Sequence, residues 1–117
     1  MSRLTEAVVR DLVAAFPSLQ SRLDAHIHDY DGVLAHVLMA DFQRYVVAVF
    51  EGDEEGSTTD VQGILDFLEQ RFRQCEEPVR ELISVSFLEL LPREGERGAG
   101  VRGLLGREMA AEADRVS

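Results

Sequence analysis

Apolar residues recur along this chain at the spacing of amphipathic helices, and the densest run, VLAHVLMADFQRYVVAVF from Val33 to Phe50, sets the plan for the rest. Fourteen of its eighteen residues are apolar and none is Gly or Pro. At 3.6 residues per turn it reads as a helix buried over most of its circumference. The exceptions, His36, Asp41, Gln43 and Arg44, fall on one side with Ala40 and Ala48 among them, while Leu38, Phe42, Tyr45, Val46 and Val49 fill the other. A central helix with a core face and a polar seam is expected. Three polar side chains mid-run and a bare spanning length argue against a membrane segment.

The flanking patterns supply its neighbours. Leu4, Val8, Leu12, Ala15 and Phe16 make one stripe from about Arg3 to Ala15, behind a Ser2 cap, and Pro17 closes it. Ser18 can cap a second helix with Leu19, Leu23, Ile27 and Tyr30 buried, stopped by Asp31-Gly32. The polar run DEEGSTT is a loop. A fourth helix opens at Thr59 or Asp60 and buries Val61, Ile64, Leu65, Leu68, Phe72 and Cys75. Glu76-Glu77-Pro78 favours initiation of a fifth, from about Val79 to Leu91, stopped by Pro92. After the loop REGERGAG, a weaker helical tail (102–117) covers the core with Leu104, Leu105 and Met109. No strand-period stretch appears. The expectation is one all-α domain over residues 1–117, with about six helices in a compact bundle or a short stack of hairpins. The fourth and fifth helices read as one HEAT-like pair.

Composition narrows the partners. The chain has 22 acids against 12 bases and a formal net charge of −10, which disfavours nucleic-acid binding and suits a basic protein partner. All twelve bases are Arg, a weak pointer to a GC-rich bacterial source. The single Cys75 precludes an internal disulfide and fits a reducing cytosol. Glu6 and Asp11 interrupt the place of an export signal, so a cytoplasmic protein is expected, as a monomer or weak homodimer.

Several strings together resemble a family of small bacterial helical domains of unknown function: LVAAFPSL at 12–19, DGVLAHVLMADFQRY at 31–45, ILDFLEQ at 64–70, VRELISVSFLELLP at 79–92 and VRGLLG at 101–106. The more specific portions are SVSFLELLP and the segment carrying His36, Asp41 and Arg44. Ala35 and Ala40 stand where the family pattern often has Pro and Gly, and Arg107 where Pro is usual, which bears on where the last helix starts. The resemblance implies an all-helical domain and no established activity. By analogy of class, small acidic helical bacterial proteins include toxin-neutralising immunity proteins.

Local motifs point to no complete chemistry. Gly98-Ala99-Gly100-Val101-Arg102-Gly103 spells the dinucleotide-binding string without its strand, long helix or acid. Asp24, His26, His28, Asp29, Asp31 and His36 contain metal-ligand types, but His26 and His28 point apart on a helix and no full ligand set is visible. A calcium loop fails because Ile27 and Leu38 occupy ligand positions. No cofactor, structural metal or catalytic residue is therefore expected.

Glu89 falls between Leu82 and Val85 in an apolar sector of the fifth helix. It reads as a buried structural carboxylate needing Arg44, Arg102 or a helix N-terminus. The seam His36, Asp41, Gln43 and Arg44 reads either as an internal hydrogen-bond network or as a binding surface, with Glu51, Asp53, Glu54 and Glu55 steering a basic partner. The functional expectation is a non-enzymatic protein-binding module, an immunity protein being one form. The alternative is a small enzyme or metal-binding protein using His36, Asp41 and Glu89.

Overall fold

Pro17, Asp31-Gly32 and Pro78 break the chain where their backbone chemistry requires, and the segments between them are helices. The computed structural model describes residues 3–74 and 76–116, among which no strand occurs. The helices are α1 (Arg3–Ala15), α2 (Gln20–Tyr30), α3 (Ala35–Phe50), α4 (Thr58–Gln74), α5 (Glu77–Ile83) and α6 (Arg107–Val116). Pro17–Leu19 and Ala99–Leu104 are 3-10 turns, and Ser84–Leu88 prolongs α5 as a π-helical turn. The Ser2 cap and the Cys75 packing expected from the sequence lie outside the described residues.

α3 is the hub. It packs on α1, α2, α4, α5 and the π turn, and Leu38, Met39 and Phe42 are fully buried in one apolar cluster with Leu12, Ile64 and Phe87. This is a bundle about a central helix. No helix among the described residues is long and apolar enough to cross a membrane.

The junctions after α2 are tied by polar side chains. At the α2–α3 turn Asp31 adopts the left-handed conformation, φ 55°, and donates its N–H to Ile27 O at 2.8 Å. Leu34 N–H then donates to His26 Nε2 at 2.9 Å, which explains why His26 is buried. Asp60 N–H donates to Ser57 Oγ at 3.0 Å, so Ser57 caps α4. Ser18, expected to cap α2, lies instead in the preceding 3-10 turn, and α2 has no side-chain cap.

Arg80 Nη1 donates to Phe72 O at 2.7 Å, and Arg102 Nε donates to Pro92 O at 2.7 Å. These two guanidinium groups satisfy carbonyls left open near the ends of α4 and of the π-turn segment. The tail is broken at Gly106, and α6 begins at Arg107. Its first turn is held by Glu69 of α4, whose carboxylate accepts the N–H groups of Glu108 at 3.0 Å and Met109 at 2.9 Å.

Leu4, Ala15 and Tyr30 of the expected apolar stripes are on the surface, and so is Leu90 of the fifth helical segment. Glu89 is exposed as well. The cause at Glu89 and Leu90 is the π turn, in which Glu89 N–H reaches back five residues to Ser84 O at 2.8 Å. One residue is added to the turn, which displaces the residues after it by about 100° from a continuous α-helical wheel. Glu89 is therefore not the buried structural carboxylate.

Candidate functional site

Around α3, positions advance by about 100° per residue, and the buried residues Ala35, Leu38, Met39, Phe42, Gln43, Tyr45, Val46 and Val49 occupy one arc. The opposite arc, carrying His36, Val37, Ala40, Asp41, Arg44, Val47 and Ala48, is exposed or half-buried. Its two edges touch different neighbours. On one flank His36 Nδ1 and Ser86 Oγ share a hydrogen bond of 2.6 Å, and Gln43 Nε2 donates to Leu90 O at 3.3 Å. On the other flank Asp41 accepts from Arg22 Nη1 of α2 at 2.9 Å.

Of the sequence-predicted seam, His36, Asp41 and Arg44 lie on one open strip whose edges are fixed to α2 and to the π turn, while Gln43 is buried on the core arc and is taken up by the Leu90 carbonyl. His36 and Asp41 are five residues apart, about 140° around the helix, and each is engaged with a different neighbour. With Glu89 on the surface, the three form no convergent acid-base set.

Arg44 stands in the middle of the strip, its side chain 65% exposed, with a 3.4 Å bond to Asp41. Further along the strip is Val37 at 40% exposed, with Leu34 at 37% just ahead of α3, and the neighbouring elements add Tyr30 of α2 at 52% and Leu90 at 51%. A groove of about 690 Å³ continues the strip along Gln43, Arg44, Val47, Ala48 and Leu90 towards Arg97.

The acidic connection after α3 is ordered by arginines from elsewhere in the chain. Arg22 Nη2 donates to both oxygens of Glu54, at 2.8 and 2.7 Å, while its Nη1 holds Asp41. Partial burial works against the Arg22 charge, but the bonds to Glu54 and Asp41 more than offset it, so its pKa is raised. Arg97 pairs with Asp53 at 2.8 Å and lies 3.8 Å from Glu51. Its pKa is raised by the Asp53 bond first and the Asp53 charge second. Glu55 is exposed. The predicted residues Glu51, Asp53 and Glu54 therefore bind their own chain's cations and remain at the surface beside the end of α3.

The profile of a domain of unknown function, DUF7674, matches residues 9–116. The chain belongs to this family. No curated protein and no solved structure matches it. Within this DUF7674 domain the His and Asp side chains near the α2–α3 turn do not assemble a metal centre. His26 is turned to the Leu34 amide and His36 to Ser86, and no group of three His, Cys, Asp or Glu among the described residues could hold a metal ion.

Sequence reasoning missed four polar residues that matter more than Glu89. Glu69 is the buried carboxylate, and the signal for it was present: it lies about 40° from Leu65 and 60° from Phe72 on the α4 wheel. Ser84 and Ser86 are buried and tie the π turn to Glu112 of α6 and His36 of α3 respectively. Arg22, the bridge between Asp41 and Glu54, carries no local signal, because both partners come from distant parts of the chain.

Proposed function

We propose that this domain is a non-enzymatic protein-binding module whose docking face is the open strip of α3, and that its partner is basic. The carrying observation is the exposure of Val37, Leu34, Tyr30 and Leu90 around a strip rimmed by charge. Apolar side chains gathered about one central helix mark an interaction surface more than scattered surface apolars do. The loop carrying Glu51, Asp53, Glu54 and Glu55 retains a net negative charge after its two arginine bridges, which supports steering of a cationic partner onto the adjacent face. Neutralisation of a basic toxin domain in a bacterial cytosol is the class of activity that fits an acidic helical module of this size.

The test is affinity capture from the native cell with wild-type protein and with Val37→Asp, followed by mass spectrometry and co-expression with the captured protein. The expected result is a basic protein retained by wild type, lost with Val37→Asp, released as salt is raised, and less toxic to cells when co-expressed. Equal capture by both proteins, or capture insensitive to salt, refutes the reading.

A further inference from the structure

The exposed strip of α3 has a symmetry that binding a foreign partner does not require. Val37, Asp41, Arg44 and Ala48 lie within about 30° of one line along the helix. Their spacing is the same from either end, with acid and base exchanged: apolar, three residues, acid, two residues, base, three residues, apolar. About a point midway between Phe42 and Gln43, Val37 mirrors Ala48 and Asp41 mirrors Arg44. A two-fold, isologous contact places each residue of a patch against its mirror position on the other copy. Antiparallel pairing of two α3 strips therefore sets Val37 beside Ala48 and Asp41 beside Arg44, on both sides of the dyad.

The charges are available for this. Arg44 is 65% exposed and holds Asp41 of its own chain only at 3.4 Å. Both that contact and the 2.9 Å bond from Arg22 fall on Asp41 Oδ1, which leaves Oδ2 open to an incoming guanidinium. Ala40 and Ala48, on the outer sides of the charged pairs along the helix, are small, so a second helix can approach closely there.

Size is the other requirement. A standard interface takes about 800 Å² from each partner, and the whole surface is 6504 Å². Tyr30 and Leu90, on the two flanks of the strip, widen the patch beyond α3 itself. The shortage of large apolar side chains on the strip makes the contact weak and reversible.

We propose that the α3 strip pairs with the same strip of a second copy, forming a weak antiparallel two-fold homodimer that a basic partner displaces. The proposal rests on the α3 strip being a protein-docking face and names its occupant in the free protein.

Sedimentation of the purified chain, from micromolar to millimolar concentration, tests it. Wild type should pass from monomer to dimer mass across that range. Arg44→Glu gathers four acids at the dyad and should weaken association about tenfold or more, while Val37→Asp should leave only monomer. Arg73→Glu makes the same charge change at an exposed position on α4 and should leave the dimer unchanged.

A wild-type chain that stays monomeric throughout overturns the proposal, as does a dimer indifferent to Arg44→Glu and Val37→Asp. Equal weakening by Arg73→Glu also overturns it, by assigning the effect to net charge. Circular dichroism of Arg44→Glu guards against misfolding, since that side chain is largely in solvent. The two readings fail separately. A monomer that loses its captured basic protein on Val37→Asp removes self-pairing alone, and a face-dependent dimer whose capture of other proteins survives Val37→Asp removes the basic partner alone.

Discussion

Replacing Glu69 measures how α6 is held. Its carboxylate accepts the Glu108 and Met109 N–H groups at 3.0 and 2.9 Å, so α4 supplies the cap that Gly106, ahead of Arg107, has no side chain to supply. A hydrogen bond to a charged group contributes about 1.5–3 kcal/mol, and an anion at a helix N-terminus adds roughly 0.3–1 kcal/mol. Glu69→Ala removes both bonds and strands two amides, so it should cost about 3–5 kcal/mol. That is a large share of the ~5–15 kcal/mol typical of a folded domain. Glu69→Gln keeps one acceptor oxygen but loses the charge and turns an amide N–H towards the other donor, for a cost of about 2 kcal/mol. α6 has 10 residues, too few to persist alone in water, so the loss should concentrate there. Urea unfolding followed by circular dichroism gives the stability change, and hydrogen exchange at the Met109 amide locates it. A Glu69→Ala protein within about 1 kcal/mol of wild type, or an unchanged Met109 amide, would refute the reasoning.

Neighbouring geometry sets three smaller expectations. Gly106→Ala should destabilise by about 1–3 kcal/mol in the same urea assay, because a Cβ there lies 2.5 Å from Glu69 Cδ. Glu89→Ala should change stability by less than about 0.5 kcal/mol, since the side chain is exposed; a large loss would show that the π turn is misplaced. The Arg115 bond first and the Ser84 bond second hold the Glu112 carboxyl at about 2 instead of 4.5. Because its folded pKa is depressed, its stabilisation is present above pH 4.5 and lost as pH falls towards 2. Glu112→Gln should accordingly flatten that part of the stability-pH curve, and an unaltered acid limb would count against the Ser84 and Arg115 bonds to Glu112.

The helical segments were legible because each follows a single local rule: period 3.6 within, and Pro or Asp-Gly at the breaks. α1 matches its expected span, and α4 and α5 begin within a few residues of theirs. What was not legible was rotation about the axis after a defect. SVSFLELLP carries no residue that announces a π turn, yet the turn carries Glu89 and Leu90 out to solvent and Leu88 into the core. The α3 strip was legible as a polar seam because nothing interrupts its wheel, whereas its separation into two anchored edges depended on Arg22 and Ser86. Those partners lie 19 and 50 residues from their α3 counterparts, beyond any local pattern. Glu69 was the recoverable omission, since the helical wheel that singled out Glu89 finds it as readily.

The polar groups of this domain divide by what they touch, and that division separates architecture from the face left for function. Glu69, His26, Arg80 and Arg102 each meet backbone groups that packing leaves unpaired, so their chemistry is used within the fold. Arg22 joins Asp41 in the middle of α3 to Glu54, and Arg97 joins Glu51 and Asp53, ordering the loop after α3 while leaving it acidic. The exposed bridges of Arg97 contribute little to stability and are screened by salt. Raising ionic strength should therefore weaken the loop's attraction for a cation well before it disturbs the bundle, whose apolar core does not depend on those pairs. The Val37 to Ala48 strip is the complement: apart from the Asp41 bond to Arg22 of α2 and its longer contact with Arg44, no hydrogen bond or ion pair among the described residues ties its side chains to the rest of the fold. On the reading proposed above, a chain that fixes so many of its charges internally leaves this strip for contact with a partner.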